Sequence, residues 1–315
     1  MVELSDTNTR PRRVVIVGPG AIGTTLAVHL SRAGCAVTVL DHRADRAERI
    51  AAEGLALLTA GGLLRARVSA TTRADGLAPA DLVVVCVKCL ALERTGRALA
   101  TLPDATTIAT IQNGLGVLDA LARGMGPSAA KHTLLAAVTY QAASPSADGT
   151  IRHVANLPTL FAGSACVCSA AEAAAALFTS AGLPASVAKN LREAVWRKLI
   201  VNVAINPLTA VERVANGRLA ERRELRRRML ALAREAAQVA RAEGACVTDR
   251  EAEQSALDAA RSTAANVSSM RQDVEAGRPT EIEFLGGALL RLAAGHGLDL
   301  PQTREVTDAV RRLSP

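Results

Sequence analysis

The chain has 315 residues, of which 49% are hydrophobic and 21% are charged, and its formal net charge is +7. This composition excludes an intrinsically disordered protein, and the length suits two domains better than one. Aromatic residues make up only 2% of the chain, so Ala, Leu and Val must build the core. A membrane helix needs about 18 consecutive apolar residues, and no apolar run in this sequence is that long. Residues 1–12 are polar. We therefore expect a cytoplasmic protein without a signal peptide or a membrane partner.

The first elements in chain order are typical of a nucleotide-binding fold. Residues 13–17 (RVVIV) predict a short apolar strand, which a glycine-rich turn and a helix over 24–33 follow. Residues 36–40 (AVTVL) predict a second strand that ends at Asp41. A strand, a glycine turn, a helix and a second strand form the setting that a dinucleotide-binding motif requires.

The glycine turn, Gly18–Gly23 (GPGAIG), matches the spacing G-x-G-x-x-G. Gly18 permits the tight turn, Gly20 lets the backbone approach a pyrophosphate, and Gly23 allows close packing of the helix. Ala21 and Ile22 lie just before the predicted helix, whose N-terminus supplies backbone N–H groups and the positive end of the helix dipole. We therefore predict that Gly18, Gly20, Ala21, Ile22 and Gly23 bind the cofactor.

The end of the second strand bears on the choice of nucleotide. Asp41 can accept hydrogen bonds from the adenosine ribose and repel a 2′-phosphate, which favours NADH. Arg43 and the adjacent His42 can instead receive that phosphate, which favours NADPH. Lys88 follows the apolar strand over 82–87 and adds a cation at the same edge, although a lysine at a strand end is often only solvated. The residues themselves leave both cofactors open.

Further elements divide the chain into two predicted domains. The patterns predict a helix over 44–53, strand-like pieces within 55–70, and strands over 82–87, 107–111, 134–139 and 159–162. Helical patterns then cover 190–206, 217–243, 249–261, 265–276 and 280–296. The predicted fold class is α/β, with an N-terminal Rossmann-type dinucleotide-binding domain over 12–188 and an all-helical C-terminal domain over 189–315.

Lys198, Asn202 and Asn206 are spaced four residues apart in an otherwise apolar helical run. This spacing places all three on one helix face, and burying unpaired polar groups costs several kcal/mol, on the order of 2–7 each. The stripe therefore indicates a ligand-binding wall. The alternative is a boundary helix whose lysine reaches solvent and whose asparagines bond to backbone. Asn206 precedes Pro207, where we expect the helix to kink or end.

Other candidate site residues are weaker when each is taken alone. Asn113 lies in Gln112-Asn113-Gly114, which ends a buried strand at the edge where open α/β sheets bind ligands, but an Asn-Gly pair is often only a turn. Ser269 and Glu281 lie on successive helical patterns, and for Glu281 a solvated structural role is the default.

The remaining charged and thiol groups indicate no second function. Residues 222–228 (RRELRRR) are best interpreted as a solvated helix face, because no aromatic residue among them can stack a base. The six cysteines include the pairs Cys86/Cys89 and Cys166/Cys168, but their spacing with histidine matches no metal site, so we expect reduced thiols. The sequence therefore predicts neither a bound metal nor a nucleic-acid partner.

These motifs, in this order, resemble the ketopantoate reductase (2-dehydropantoate 2-reductase) family over nearly the whole chain. The shared pieces are Gly18–Gly23, Val87-Lys88, Gln112-Asn113-Gly114, Trp196-x-Lys198-Leu199, Asn202-x3-Asn206-Pro207-Leu208-Thr209-Ala210, Asn216-Gly217, Ser268-Ser269-Met270-x2-Asp273 and Thr280-Glu281-Ile282. The resemblance implies NADPH-dependent reduction of 2-dehydropantoate to (R)-pantoate, a step toward pantothenate and coenzyme A, with the substrate between the two domains.

The resemblance also implies roles for individual residues. Lys198 matches the catalytic lysine that donates a proton, and Glu281 matches the glutamate that engages the substrate hydroxyl. Asn113, Asn202, Asn206 and Ser269 match residues that hold the substrate or the cofactor, and Lys88 matches a lysine near the cofactor. We expect burial to lower the pKa of Lys198 and Glu281 to oppose that shift.

The chain departs from the family pattern at two places. The family often has an arginine directly after the second strand, where this chain has Asp41-His42-Arg43, so NADH stays open beside NADPH. A frequent Asn-Gly after the Thr-Glu-Ile segment is here Gly286-Gly287. The alternatives are an (R)-2-hydroxy-acid dehydrogenase acting on another branched or bulky 2-oxo acid, and a nucleotide-binding regulator without activity. A homodimer is also left open.

Overall fold

The structure is a computed structural model that describes residues 10–146, 148–162 and 167–314, which form two compact units. The first unit contains the chain up to Val87 together with Ala91–Gln112 and Leu118–Ala188. The second contains Lys88–Leu90, Asn113–Val117 and the chain from Lys189 onward. The predicted domains divide the chain once, at residues 188 and 189, whereas two short segments from the first half group with the second unit.

The first unit is built on a mostly parallel sheet. Within the described residues it has eight strands in the order β12-β11-β8-β7-β6-β1-β2-β5, and only β8 and β11 pair antiparallel. These strands are β1 (Arg13–Val17), β2 (Ala36–Leu40), β5 (Ser69–Thr71), β6 (Leu82–Val85), β7 (Thr107–Thr110), β8 (Thr133–Thr139), β11 (Thr159–Ala162) and β12 (Ala185–Ala188). The helices are α1 (Ala21–Arg32), α2 (Ala44–Glu53), α3 (Leu92–Leu99), α4 (Val117–Met125) and α5 (Cys168–Ser180).

The central strands are apolar because the sheet buries both of their faces. Every residue of β6 is buried, and β1 is buried from Val14 to Val17. Parallel strands covered on both sides carry such continuous apolar runs. The core includes Ile16, Val39 and Val84 of neighbouring strands. The predicted Rossmann-type arrangement is therefore confirmed.

A smaller sheet in the same unit was only partly predicted. Its strands, in the order β4-β3-β10-β9, are β3 (Leu55–Thr59), β4 (Gly62–Ala66), β9 (Ala142–Pro145) and β10 (Ile151–Ala155). The broken strand signals over 55–70 correspond to β3, β4 and β5. Strands β9 (AASP) and β10 (IRHVA) escaped prediction because neither sequence alternates regularly between apolar and polar residues.

The second unit is helical in its described residues after Lys189. Its elements are α6 (Leu191–Glu212), α7 (Asn216–Glu221), α8 (Arg223–Ala242), α9 (Asp249–Ser262), α10 (Ser269–Glu275), α11 (Gly286–Gly295) and α12 (Pro301–Leu313). Small residues such as Ala233, Ala236 and Ala240 fill the inner face of α8, which lets neighbouring helices approach closely. The predicted helical C-terminal region is confirmed.

Two helix boundaries in this unit differ from the predicted ones. The pattern over 217–243 is two helices, because the chain is extended at Arg222. The pattern over 280–296 begins as a helix only at Gly286, after a short 3-10 turn at Ile282–Phe284. In both places the apolar periodicity of the sequence continues across residues at which the backbone leaves the α-helical conformation.

Of the two predicted outcomes at Pro207, a kink or an end of the helix, the end is wrong, because α6 continues past this residue. The helix continues to Glu212, where Arg213 adopts a left-handed conformation with φ of 53°. Proline removes one N–H donor from the helix and crowds the carbonyl four residues before it. The Thr209 hydroxyl donates to the carbonyl oxygens of Ile205 and Asn206 at 2.9 and 3.0 Å, and the buried neighbours of α6 hold the helix in place.

No helix in the described part of the chain is both long enough and apolar enough to cross a membrane.

Candidate active site

The glycine turn of the first unit has the geometry of a pyrophosphate cradle. Gly18 has φ of +90°, a conformation that side chains disfavour. A Cβ at Gly23 would lie 2.1 Å from the Gly18 carbonyl oxygen, whereas a Cβ at Gly20 would meet nothing within 4 Å. Helix α1 begins at Ala21, so the N–H groups of its first turn have no partner within the helix. The open space beside Gly20 and these N–H groups fit a bound dinucleotide.

The ends of β6 and β7 are tied together beside this turn. The Gln112 amide donates to the carbonyl oxygens of Val85 at 2.7 Å and Val87 at 3.0 Å. A Cβ at Gly18 would lie 2.8 Å from the Val87 side chain, so the chain after β6 closes the glycine turn from one side. Gln112 therefore has a structural role in holding this strand end.

Asp41 lies directly after β2, but its carboxylate is engaged within the protein. Arg46, from the first turns of α2, forms a bidentate ion pair with it, and the Arg43 backbone N–H donates to it at 3.3 Å. Burial alone would raise the pKa of Asp41, but the hydrogen bonds and charge of Arg46 outweigh it and hold the pKa below its ordinary value. Arg43, in contrast, forms an exposed ion pair with Asp45.

In the second unit, α6 carries Lys198, Asn202 and Asn206 on one face, called here the lysine face. Asn202 and Asn206 are half-buried. Lys198 is partly exposed, yet burial of its ammonium lowers its pKa from 10.5 to about 8, and the charge of Glu281 acts in the opposite direction. The expected direction of both influences on Lys198 is confirmed.

Glu281 and Asn113 are held by Cys89, which the sequence predicts only to be a reduced thiol and not a site residue. The Cys89 backbone N–H donates to the Glu281 carboxylate at 2.9 Å, and the Cys89 thiol donates to the Asn113 carbonyl oxygen at 3.1 Å. Burial, with the charge of Glu281 adding to it, raises the pKa of the Cys89 thiol, which keeps the thiol protonated. Cys89 therefore fixes both neighbours through hydrogen bonds.

The segment that carries Asn113 is shaped by its packing in the second unit. Gly114 has φ of +108°, and a Cβ there would lie 2.4 Å from the Phe284 carbonyl oxygen. The Leu115 N–H donates to the same oxygen at 3.0 Å. Gly114 is therefore required by close backbone approach, and Asn113 is left with a buried side-chain oxygen that has no hydrogen-bond partner.

A small cavity in the second unit brings several predicted residues together. It is lined by Asn113, Asn206, Ser269, Met270, Asp273, Glu281 and Leu285. Four of these are predicted site residues, and Lys198 joins them through its electrostatic interaction with Glu281. Asn202, one turn away from Asn206 on the lysine face, is not among the lining residues. The residues that line it offer amide, hydroxyl and carboxylate groups, which can donate and accept hydrogen bonds.

Lys88 is engaged by Asp273, a residue of the shared motif that was not predicted as a site residue. The Lys88 ammonium forms an ion pair with the buried Asp273 carboxylate, to which Arg278 also donates at 3.0 Å. Two cations thus share one carboxylate. No local pattern could have shown the Lys88 pair, because 185 residues separate its partners.

The described cysteines and the other side chains that could bind a metal form no additional site. Among the described residues no group of three or more His, Cys, Asp or Glu side chains could hold a metal ion. The five described cysteines, Cys35, Cys86, Cys89, Cys168 and Cys246, are free. Cys166, of the predicted Cys166/Cys168 pair, lies outside the described residues.

Comparison with known families identifies the chain. The model of ketopantoate reductase PanE/ApbA matches residues 14–164, and the model of the C-terminal domain of the same family matches residues 190–314. The chain belongs to the ketopantoate reductase family. The predicted class, an oxidoreductase on a Rossmann-type fold, is confirmed.

Individual relatives of this ketopantoate reductase family member cover nearly all of its length. It is 36% identical to the 2-dehydropantoate 2-reductase of Halobacterium salinarum over 95% of this chain and 98% of that protein. The crystal structure of a ketopantoate reductase from Ralstonia eutropha JMP134 superposes with a TM-score of 0.85 at 29% identity, covering 96% of this chain and 98% of that one.

A third solved structure resembles the protein in fold alone. It is D-mandelate dehydrogenase in a ternary structure with NADH and anilino(oxo)acetate, and it superposes with a TM-score of 0.88 at 21% identity. It covers 96% of this chain and 97% of that one. Membership of the ketopantoate reductase family implies a nicotinamide cofactor and a small-molecule substrate.

Proposed function

We propose that this protein reduces 2-dehydropantoate to (R)-pantoate with NADPH, a step in pantothenate and coenzyme A biosynthesis. The proposal rests mainly on the environment of Lys198. Burial lowers the pKa of its ammonium to about 8, and the charge of Glu281 acts on it in the opposite direction. A lysine that holds its proton less tightly than usual suits proton donation near neutral pH. The relatives named 2-dehydropantoate 2-reductase support the choice of substrate.

Lys198 is proposed to act on the substrate carbonyl oxygen. When bound, the reduced nicotinamide supplies the hydride. As the carbonyl carbon is reduced, negative charge grows on its oxygen, and the Lys198 ammonium stabilises that charge and transfers its proton to the same oxygen. With a pKa of about 8, most of the lysine population is protonated at pH 7.

Glu281 is proposed to orient the substrate hydroxyl and to balance the charge of Lys198. One of its carboxylate oxygens already accepts the Cys89 N–H at 2.9 Å, which fixes the group while other lone pairs stay available to a ligand. Because its negative charge favours the charged form of Lys198, Glu281 limits how far burial lowers the lysine pKa.

The remaining polar residues are proposed to hold the substrate and the cofactor. Asn113, Asn202, Asn206 and Ser269 offer donors for the substrate carboxylate, and the unpartnered buried oxygen of Asn113 supports a ligand contact there. Gly18, Gly20, Ala21, Ile22 and Gly23 are proposed to hold the pyrophosphate through backbone N–H groups. Asp41, Arg43 and Lys88 are proposed to border the cofactor.

The test compares several 2-oxo acids under NADPH and NADH. Oxidation of each cofactor is followed with ketopantoate, pyruvate, 2-oxoisovalerate and phenylglyoxylate as substrates. We expect ketopantoate with NADPH to give the highest kcat/KM, by about tenfold or more, which is about 1.4 kcal/mol of transition-state binding.

Other outcomes of this assay contradict the proposal in different ways. A preference for phenylglyoxylate would favour the 2-hydroxy-acid dehydrogenase alternative. Nucleotide binding without oxidation by any acid would favour the non-catalytic regulator. A Lys198→Met variant serves as the blank, because it keeps the cofactor-binding unit intact.

We also propose that the protein forms a homodimer, a prediction that rests on the family resemblance. Sedimentation equilibrium at micromolar concentration measures this directly. A mass equal to the 32.6 kDa chain at all concentrations would contradict it.

A further inference from the structure

The carboxylate of Asp41 occupies the position that usually selects NADH, yet it is not available to a ligand. Its side chain has no exposed surface. Arg46 donates to both of its oxygens, and the Arg43 N–H and the His42 ring nitrogen lie at 3.3 and 3.4 Å from one of them. The Asp41 N–H itself donates to the Thr71 carbonyl oxygen at 3.0 Å, which fixes the residue at the end of β2.

The neighbouring ion pair between Arg43 and Asp45 differs in exposure. The Arg43 and Asp45 side chains are 54% and 65% exposed, so water competes with their interaction and it contributes little. The buried bidentate pair of Asp41 with Arg46 persists, because separating it would leave a buried carboxylate without its bidentate partner. Arg43 can therefore exchange Asp45 for a ligand, whereas Asp41 cannot exchange Arg46.

We propose that Arg46 sets the nucleotide preference of this protein by occupying Asp41, so that Arg43 is left to receive the 2′-phosphate of NADPH. A free carboxylate at this position accepts hydrogen bonds from the ribose hydroxyls and repels a 2′-phosphate. Here the arginine neutralises that carboxylate and uses the lone pairs that the ribose would need. The sequence feature that favours NADH is thereby cancelled by a residue five positions later. This inference rests on the proposed function in one respect only, namely that the ligand is a nicotinamide dinucleotide.

The experiment measures nucleotide binding instead of turnover. Dissociation constants of NADP⁺ and NAD⁺ are determined by calorimetry for the full chain, for Arg46→Met, for Asp41→Asn and for the double variant. Arg49→Met is the matched control, because Arg49 is an exposed arginine on the same helix. Asp41→Asn removes the carboxylate charge and keeps its size.

We expect the full chain to bind NADP⁺ more tightly than NAD⁺. Arg46→Met should shift this ratio toward NAD⁺ by about tenfold or more, because the carboxylate charge of Asp41 is then no longer neutralised and repels the phosphate. The double variant should regain the original ratio, since no charge is left to repel the phosphate. Arg49→Met should leave the ratio unchanged.

Two results would overturn the proposal. If Arg46→Met weakens NADP⁺ binding by the same factor in the native sequence and in the Asp41→Asn background, Arg46 contacts the phosphate directly. If Arg46→Met leaves the ratio unchanged, the ion pair does not govern preference. If circular dichroism shows that Arg46→Met does not fold, Asp41→Asn is compared with the double variant instead. A difference in the NADP⁺ to NAD⁺ binding ratio between these two variants means that Arg46 acts without the carboxylate, which overturns the proposal. Equal ratios support it.

Failure of this proposal is distinguishable from failure of the proposed function. The binding ratio needs no 2-oxo acid, so it can be measured even if ketopantoate is not reduced. Conversely, rapid reduction of ketopantoate with either nucleotide would uphold the activity whatever Arg46 does.

Discussion

The glycine turn and the lysine face bind their proposed ligands with different kinds of groups. The glycine turn relies on the backbone: Gly18 and Gly23 set its shape, and the N–H groups at the start of α1 are proposed to bind the pyrophosphate. The lysine face relies on side chains, and Lys198 lies where burial opposes its charge. Forming the glycine turn requires little more than glycine at the right positions. Forming the lysine face places a cation where it is less stable than in water.

This difference means that stability and function can be separated in one region but conflict in the other. A substitution in a backbone cradle can weaken ligand binding without changing the free energy of unfolding of the ligand-free protein. A lysine with a lowered pKa should stabilise the protein when it is replaced, at the expense of activity. Three predictions test this contrast and a fourth tests the histidine pair of the first unit, in order of decreasing effect.

The largest effect is expected at the lysine face. Replacing Lys198 by Met removes the proposed proton donor and should lower kcat by about 10²–10⁴-fold, while the affinity for NADPH changes little. Steady-state kinetics and calorimetry measure the two quantities. Lys189→Met, at an exposed lysine, is the control. A Lys198→Met variant that keeps most of its turnover would remove Lys198 from the mechanism.

The next effect is expected at the glycine turn. A Cβ at Gly20 meets no protein atom within 4 Å, so Gly20→Ala should fold normally and clash only with a bound pyrophosphate. Overpacking costs about 1–3 kcal/mol, which corresponds to about a ten- to hundredfold loss of nucleotide affinity. Gly295→Ala is the control, because a Cβ there also meets nothing. Unchanged affinity in Gly20→Ala would show that no phosphate lies against Gly20.

A smaller effect concerns the stability of the lysine face. The pKa of Lys198 is lowered to about 8 from 10.5, so at pH 7 the folded state carries a charge that burial disfavours. Lys198→Met should therefore raise the free energy of unfolding by about 1–3 kcal/mol at pH 7.

The pH dependence gives this prediction a sign check. Between pH 8 and 10.5 the unfolded chain holds the Lys198 proton more tightly than the folded chain does, so the stability of the native sequence rises with pH there. The gap between it and Lys198→Met should shrink over that range in urea titrations. A constant gap would show that Lys198 is not strained by its burial.

The smallest effect is expected in the first unit, at His29 and His153, whose rings lie 5.2 Å apart. Burial lowers the pKa of both below 6.5, so the folded state resists protonation and stability falls as the pH drops below 6.5. His153→Asn should flatten this fall, measured as the urea midpoint at pH 7.5 and 5. An equally steep fall in that variant would exclude the pair as its cause.

Much of the glycine turn was predictable because its information is local. The strand, the G-x-G-x-x-G spacing and the helix follow one another within about 20 residues, the usual extent of this motif. Helix α9 was equally local, since Thr248 and Glu251 form a capping box at its start. In such places the residues that determine a structure are neighbours in the chain.

The parts that escaped prediction depend on distant partners. Cys89 contacts Glu281 across 192 positions and Lys88 contacts Asp273 across 185, and no periodicity records such pairs. The Asp41 and Arg46 pair is close in sequence, but a loop and a helix start separate its members, so no helical spacing indicated it. The expectation that α6 kinks or ends at Pro207 rested on the local pattern, whereas its continuation to Glu212 depends on tertiary packing, which a local pattern does not record.

The path of the chain has a consequence for how such a protein can be divided. Lys88–Leu90 and Asn113–Val117 belong to the second unit, although first-unit sequence surrounds them on both sides. A fragment that starts at residue 189 would lack Asn113 and Cys89, and Phe284 would lose its packing against Gly114. A single cut in the chain therefore cannot separate the two units, because the helical fragment would lack the two short segments that complete it.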